Sequence, residues 1–143
     1  MLSQEIDITR VLNGVAAGTT PQNGTGLSME GYQGVMFVAA FGALTATQVT
    51  SLKAQQSSDN GSADDYTDIQ GSSTQALADA DGNKLLVLDI LQPSKLYVRP
   101  VVGRGTANAV IDGVFAIRYK SRVIPTTLGS SVKELVALVG TKE

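Results

Sequence analysis

Apolar and polar positions alternate along most of the chain with a period near two. "EIDITRVL" puts Ile6 and Ile8 on one face and Asp7 and Thr9 on the other, as a half-buried strand does. "YQGVMFVAAFGAL" is almost continuously apolar and reads as a strand buried on both faces, with Gly34 and Gly42 as bulges or close approaches. "TQVTSLKAQQSS" follows as a strand with one polar face, then "KLLVLDIL", "LYVRPVV" and "AVIDGVFAIRYKSRVIP". Between them lie loop signals: "TTPQNGTGLSMEG", the acidic "DNGSADDYTD", and "DADGNK", whose Asp81-Gly82 reads as a hairpin turn.

Six or more strands separated by turn clusters, with hardly any helical period, predict an all-β fold: an antiparallel β-sandwich or jelly-roll-like barrel. One short helix is expected at the C-terminus. Ser131 and Glu134 form a capping box, Val132, Leu135, Val136 and Val139 share a face, and Gly140 stands where a C′ residue belongs. So short a helix needs a platform, either its own sandwich or another subunit. The expected organisation is an N-terminal strand, arm and loop over 1–30, a sandwich over 31–127, and a C-terminal helix and tail over 128–143.

Arg99 and Pro100 interrupt an otherwise apolar strand. An arginine there can be catalytic, can bind phosphate, or can hold strands in register. If residues 84–91, 97–102 and 109–115 form a three-stranded meander, Arg99 falls between Asp89 and Asp112 on one face. Opposite charges across such pairs contribute roughly 0.2–1 kcal/mol each, enough to favour one register over another. Asp89, Arg99 and Asp112 are therefore expected to form a register clamp, with "GRGTAN" (103–108) as the hairpin loop. Pro100 sits awkwardly in a central strand, because it cannot donate to a ladder.

Composition narrows the chemistry. Among 143 residues there is no His, Cys or Trp, so a His-dependent triad, disulfides and thiolate metal sites are all excluded. Asp64, Asp65 and Asp68 crowd one Gly/Ser-rich loop, which reads as solvated rather than as a cation cage; "DADGN" lacks the spacing of a calcium loop, and "GRGTANAVIDG" that of a phosphate loop. No enzyme motif, catalytic residue, cofactor or metal site is expected. Net charge is −2 with no basic run, which gives no nucleic-acid footprint. The N-terminus does not read as a signal peptide, and "VMFVAAFGAL" is about half a membrane span. A soluble protein made in a cytoplasm and not bound to membrane is expected. Only 17% of residues are charged, against about 25% in ordinary domains, which suggests surface covered by a partner.

Ordered along the chain are a glycine-bounded aromatic strand "GYQGVMFVAAFG", then "VTSLKAQQS", an acidic turn, "P-x-K-x-Y-V-R" (93–99) and "Y-x-x-R-x-x-P" (119–125). In this order, from Gly31 to Thr127, they resemble a family of small virion proteins of tailed bacteriophages. The resemblance implies a structural virion protein, with decoration (cement) of the major capsid shell as the role and a trimer as the oligomer. A head–tail connector, tail or fibre component is the alternative, and a non-viral sandwich-type binding module a further one. Assembly contacts are then expected from the two ends: Leu2, Ile6 and Ile8 in the arm, and Val132, Leu135, Val136 and Val139 in the helix.

Overall fold

The computed structural model describes residues 1–140 and contains ten strands in two antiparallel sheets packed as a sandwich. The first sheet (sheet A) has the order β1 (Asp7–Leu12), β10 (Ala109–Tyr119), β5 (Gly34–Leu44), β8 (Leu85–Leu91); β2 (Val15–Gly18) continues along β10 beyond β1. The second (sheet B) has the order β3 (Gln22–Asn23), β9 (Tyr97–Gly105), β6 (Val49–Ser57), β7 (Thr67–Asp68), with β4 (Leu27–Ser28) further along β9. Among the described residues no helix is long and apolar enough to cross a membrane.

Alternation on the long strands builds the core. Val35, Phe37, Ala39 and Phe41 of β5 face Leu52 and Ala54 of β6 and Val98 and Val102 of β9, and all are buried. The outward residues Met36, Val38 and Ala40 are only half-buried, so β5 is fully covered on one face rather than on both.

The meander expected around Arg99 does not form. Strand β8 pairs with β5, β9 pairs with β6, and β10 pairs with β5 and β1. Asp89 and Asp112 therefore belong to sheet A and Arg99 to sheet B, and the three cannot clamp one register. Strands consecutive in sequence cross between the layers here, as sandwich connections often do. "GRGTAN" is accordingly not a hairpin loop: residues 103–105 end β9, paired with β6, and 106–108 form an arch between the sheets. Asp81-Gly82 likewise lies where the chain passes from the edge of sheet B into β8, held by Asp81 accepting from the Ala78 N–H and from Lys84.

Pro100 is accommodated without a bulge. Its C=O accepts from the Gly24 N–H (2.8 Å), so its missing donor faces the gap between β3 and β4 rather than β6. Gly24 is required there, because a Cβ would lie 2.6 Å from the proline ring.

The first thirty residues are not a free arm: they supply β1 to β4. In β1 the polar face turns inward. Asp7 is buried against the Arg118 guanidinium and also accepts from the Thr9 hydroxyl and the Gly129 N–H. Ile6 is buried within its own domain, and Ile8 is half-buried opposite Ile117.

The expected C-terminal helix is absent: residues 132–140 have no regular secondary structure. The Ser131 hydroxyl that would cap it accepts instead from the Arg10 N–H (3.0 Å). Leu135, Val136 and Val139 are exposed, and a short helix without a platform cannot recover its nucleation cost. Residues 141–143 lie outside the described part.

Candidate interaction surface

The two outer faces of the sandwich differ in character. On sheet B the outward side chains form a self-satisfied polar network. Arg99 donates from Nε and Nη2 to Gln55 Oε1 (3.0 and 2.7 Å) and stacks over Tyr66 at 4.1 Å from the ring centroid. Gln55 passes the connection on to Asp68, which Lys53 also reaches at 2.8 Å. Arg99 thus does set neighbouring strands against each other, but through an amide and an aromatic ring rather than carboxylates. The clamps of buried type are other arginines. Arg104 gives hydrogen bonds to the carbonyls of Ala16, Thr20 and Ala109, tying β2 and the arch to sheet B. Arg118 holds Asp7 and the Ser28 carbonyl and lies over Tyr32 at 4.5 Å. Arg104 lies in the "GRGTAN" stretch read as a loop and Arg118 just before the Y-x-x-R motif, whose own arginine is Arg122, and nothing local to either reveals that the side chain spans two layers.

The acidic loop is likewise internally occupied. Asp59 accepts from the N–H groups of Ser62, Ala63 and Asp64, which organises the turn. Asp64 meets Lys95 at 2.8 Å and Asp68 meets Lys53, so the acids diverge to separate partners. No grouping of three or more His, Cys, Asp or Glu able to hold a metal occurs among the described residues. Hydrogen bonding from Lys95, with the Ser58 N–H, draws the Asp64 pKa from 3.8 down to about 2. Because the folded pKa is depressed, the stabilisation from Asp64 is present above its unfolded value and is lost as pH falls from about 3.8 to about 2. An NMR titration is expected to find the Asp64 carboxyl midpoint near 2, and to find it raised toward 3.8 in Lys95→Met. An unchanged midpoint in that variant would show that Lys95 is not the cause.

Sheet A presents the opposite surface. Its outward positions form cross-strand rows: Ile8, Ile117, Met36 and Asp89 in one, Arg10, Phe115, Val38 and Val87 in the next. Leu85, Val87 and Leu91 on β8 are each half or more exposed. Leu2, Ile6, Met36, Ile117 and Tyr119 line a shallow, nearly apolar groove of about 300 Å³ across the same face, with Asp89 at its rim. Polar groups on this face are few and paired. Arg10 lies over the Phe115 ring at 5.0 Å, and the Tyr119 hydroxyl donates to Asp89. Tyr119 reaches Asp89 only by laying its ring over Gly34, where a Cβ would come within 2.2 Å of the ring. Burial, and then the Asp89 carboxylate, push the Tyr119 pKa up to about 12, so the hydroxyl stays a donor at neutral pH.

Of the residues expected to make assembly contacts, Leu2 and Ile6 are thus brought together on this groove, with Ile8 one row position from Ile117. Val132, Leu135, Val136 and Val139 are not part of it. The exposed β8 residues were not among those expected, although "LLVLDIL", apolar at nearly every position, carries the signal of a strand wanting cover on both faces.

No protein-family model matches this sequence, and no curated protein matches it. Among solved structures, the chain is similar to the crystal structure of SPBc2 prophage-derived protein YomS. It is 19% identical, with a TM-score of 0.45, over 79% of this chain and 93% of that one.

Proposed function

We propose that this chain is a non-enzymatic structural virion protein of a tailed bacteriophage, a decoration protein bound to the outside of the major capsid shell. The observation that carries this reading is the contrast between the two sandwich faces. Sheet B ends in polar side chains that satisfy one another, whereas sheet A exposes Leu85, Val87 and Leu91 beside an apolar groove. A domain with one finished face and one apolar face suits a protein laid onto a preformed surface, and larger apolar patches commonly mark such contacts. The ordered motifs between Gly31 and Thr127 that resemble virion proteins give the class of partner, the major capsid protein. By the same resemblance the decoration unit is a trimer. Its location is the capsid surface.

The test uses shells of the phage encoding the protein, prepared without it. Wild-type protein is expected to co-sediment with these shells and to appear on their outer surface in cryo-electron micrographs. Val38→Asp, which charges the middle of the sheet A face, is expected to keep its circular dichroism spectrum but bind at least roughly tenfold more weakly, the equivalent of one buried apolar side chain. Wild-type protein that ignores shells but assembles into rings or tubes would overturn the decoration reading in favour of a tail component.

A further inference from the structure

We propose that residues 132–140 of one subunit add as a strand to the free edge of β8 in a second copy of this chain. The inference rests on the edges of the two sheets, independently of what lies beneath the sandwich. Each sheet must end somewhere, and unpaired edge strands invite pairing with another chain. The β1 edge is closed from within: Gln4, Ile6, Arg10 and Val11 all find backbone or side-chain partners in Thr126, Ser131 and Thr25. The β6 edge is closed by β7 and by residues 69–77, whose Ile69, Thr74 and Leu77 N–H groups bond to Ala54, Leu52 and Thr50, with Ser72 and Thr74 hydroxyls taking the remaining amides. Strand β8 pairs with β5 on one side, and among the described residues no such cover lies on the other.

The polarity of that edge follows from the ladder. The Phe41 N–H donates to the Lys84 carbonyl, so with this register Leu86, Leu88 and Ile90 bond to β5. The backbone groups of Leu85, Val87, Asp89 and Leu91 then point away from the sheet. Seven residues of strand offer an apolar edge, and Leu86, Leu88 and Ile90 behind it are only partly buried against the core.

The same chain carries a segment with the complementary deficiency. Beyond Val132, whose N–H bonds to Gly129, residues 133–140 make no backbone hydrogen bond among the described residues. Leu135, Val136, Leu138 and Val139 are 47%, 66%, 79% and 80% exposed. "ELVALV" contains no proline and only one charge, as an added strand requires. Its own β8 is a poor host. Gly129 and Ser131 are fastened to Asp7 and Arg10 on β1, at the opposite edge of sheet A. Three inter-strand spacings, about 14 Å, separate the two edges, and crossing them consumes roughly four to five residues after Ser131. About half of the apolar run "ELVALV" would then be spent before β8 is reached. A neighbour's tail can lay the whole run along the edge. Donor and acceptor surfaces differ, so the exchange is either reciprocal within a two-fold dimer or head-to-tail, closing into a ring or continuing as a chain.

The absence of cysteine makes a direct experiment simple. Val87→Cys and Val136→Cys are made separately in full-length protein, given tags of different mass, mixed and mildly oxidised. The expected product is the mixed disulfide dimer, with amide exchange of Val87 and Asp89 slowed in the wild-type oligomer. Val136→Asp is expected to weaken association roughly tenfold or more, by the loss of one buried valine, and to release those two amides while β5 and β10 amides stay protected. That retained protection separates lost association from lost folding. Cross-links only between two Val87→Cys chains would overturn the proposal in favour of edge-to-edge β8 pairing. Disulfides formed within one chain carrying both substitutions, or a wild-type monomer with rapidly exchanging β8 amides, would overturn it as well. A failure to bind shells, by contrast, bears only on the capsid reading.

Discussion

Asp7→Ala is expected to destabilise the domain by about 3–5 kcal/mol, the range for removing one member of a buried ion pair. The Asp7 side chain is 1% exposed and that of Arg118 18% exposed, so the guanidinium left behind has little water to turn to. The damage extends beyond the pair. Asp7 also accepts from Thr9 and from the Gly129 N–H, joining β1, β10 and the segment leading to the C-terminal tail. Urea denaturation at neutral pH measures the loss directly. Replacing both partners, Asp7→Leu with Arg118→Met, is expected to be milder than Asp7→Ala alone, because no charge is left unpaired. A loss below about 1 kcal/mol in Asp7→Ala, the range of exposed pairs, would mean that the contact behaves as a surface ion pair.

Phe37→Ala is expected to have an effect of the same order, about 3–5 kcal/mol, for a different reason. Phe37 is fully buried at the centre of β5, among Phe41, Leu52, Val98 and Val114. Truncation removes apolar area and leaves a cavity that two hydrogen-bonded sheets cannot collapse to fill. Phe115→Ala makes the informative comparison. Its ring is outward on sheet A under Arg10, so its loss is expected to be well below that of Phe37 in the isolated protein. Equal losses in denaturation experiments would contradict the assignment of inner and outer faces on β5 and β10.

These two positions show what was legible in the chain. The strands themselves were: apolar, strand-like runs over 34–44, 49–57, 85–91 and 109–119 mark where they lie, and the polar alternation over 49–57 also marks an inner face, because backbone pleating alternates the side chains. Over 34–44 and 85–91 the runs are apolar at nearly every position, so the inner face was not legible there. The all-β class and the lack of a His triad or cysteine chemistry follow from residue types and need no partner information. Low charge also pointed to apolar surface, and sheet A is where much of it lies.

Pairing was another matter. Whether β9 lies beside β8 or in the opposite sheet depends on how the chain crosses between layers, and the local pattern is the same in either case. The Asp89–Arg99–Asp112 clamp failed on that point. The same tertiary choice turned the polar face of β1 inward, since Arg118 on β10 provides the charge that makes a buried Asp7 tolerable. It also gave Pro100 a neighbour with a gap, and it took Ser131 from its capping role to serve Arg10. Sequence by itself determined which segments are strands and what chemistry the protein lacks, because those depend on local periodicity and on residue identity. Only the tertiary structure decided which strands meet, which charges are buried, and which edge is left open, because those depend on contacts between residues far apart in the chain, from Gln55 with Arg99 to Asp7 with Arg118.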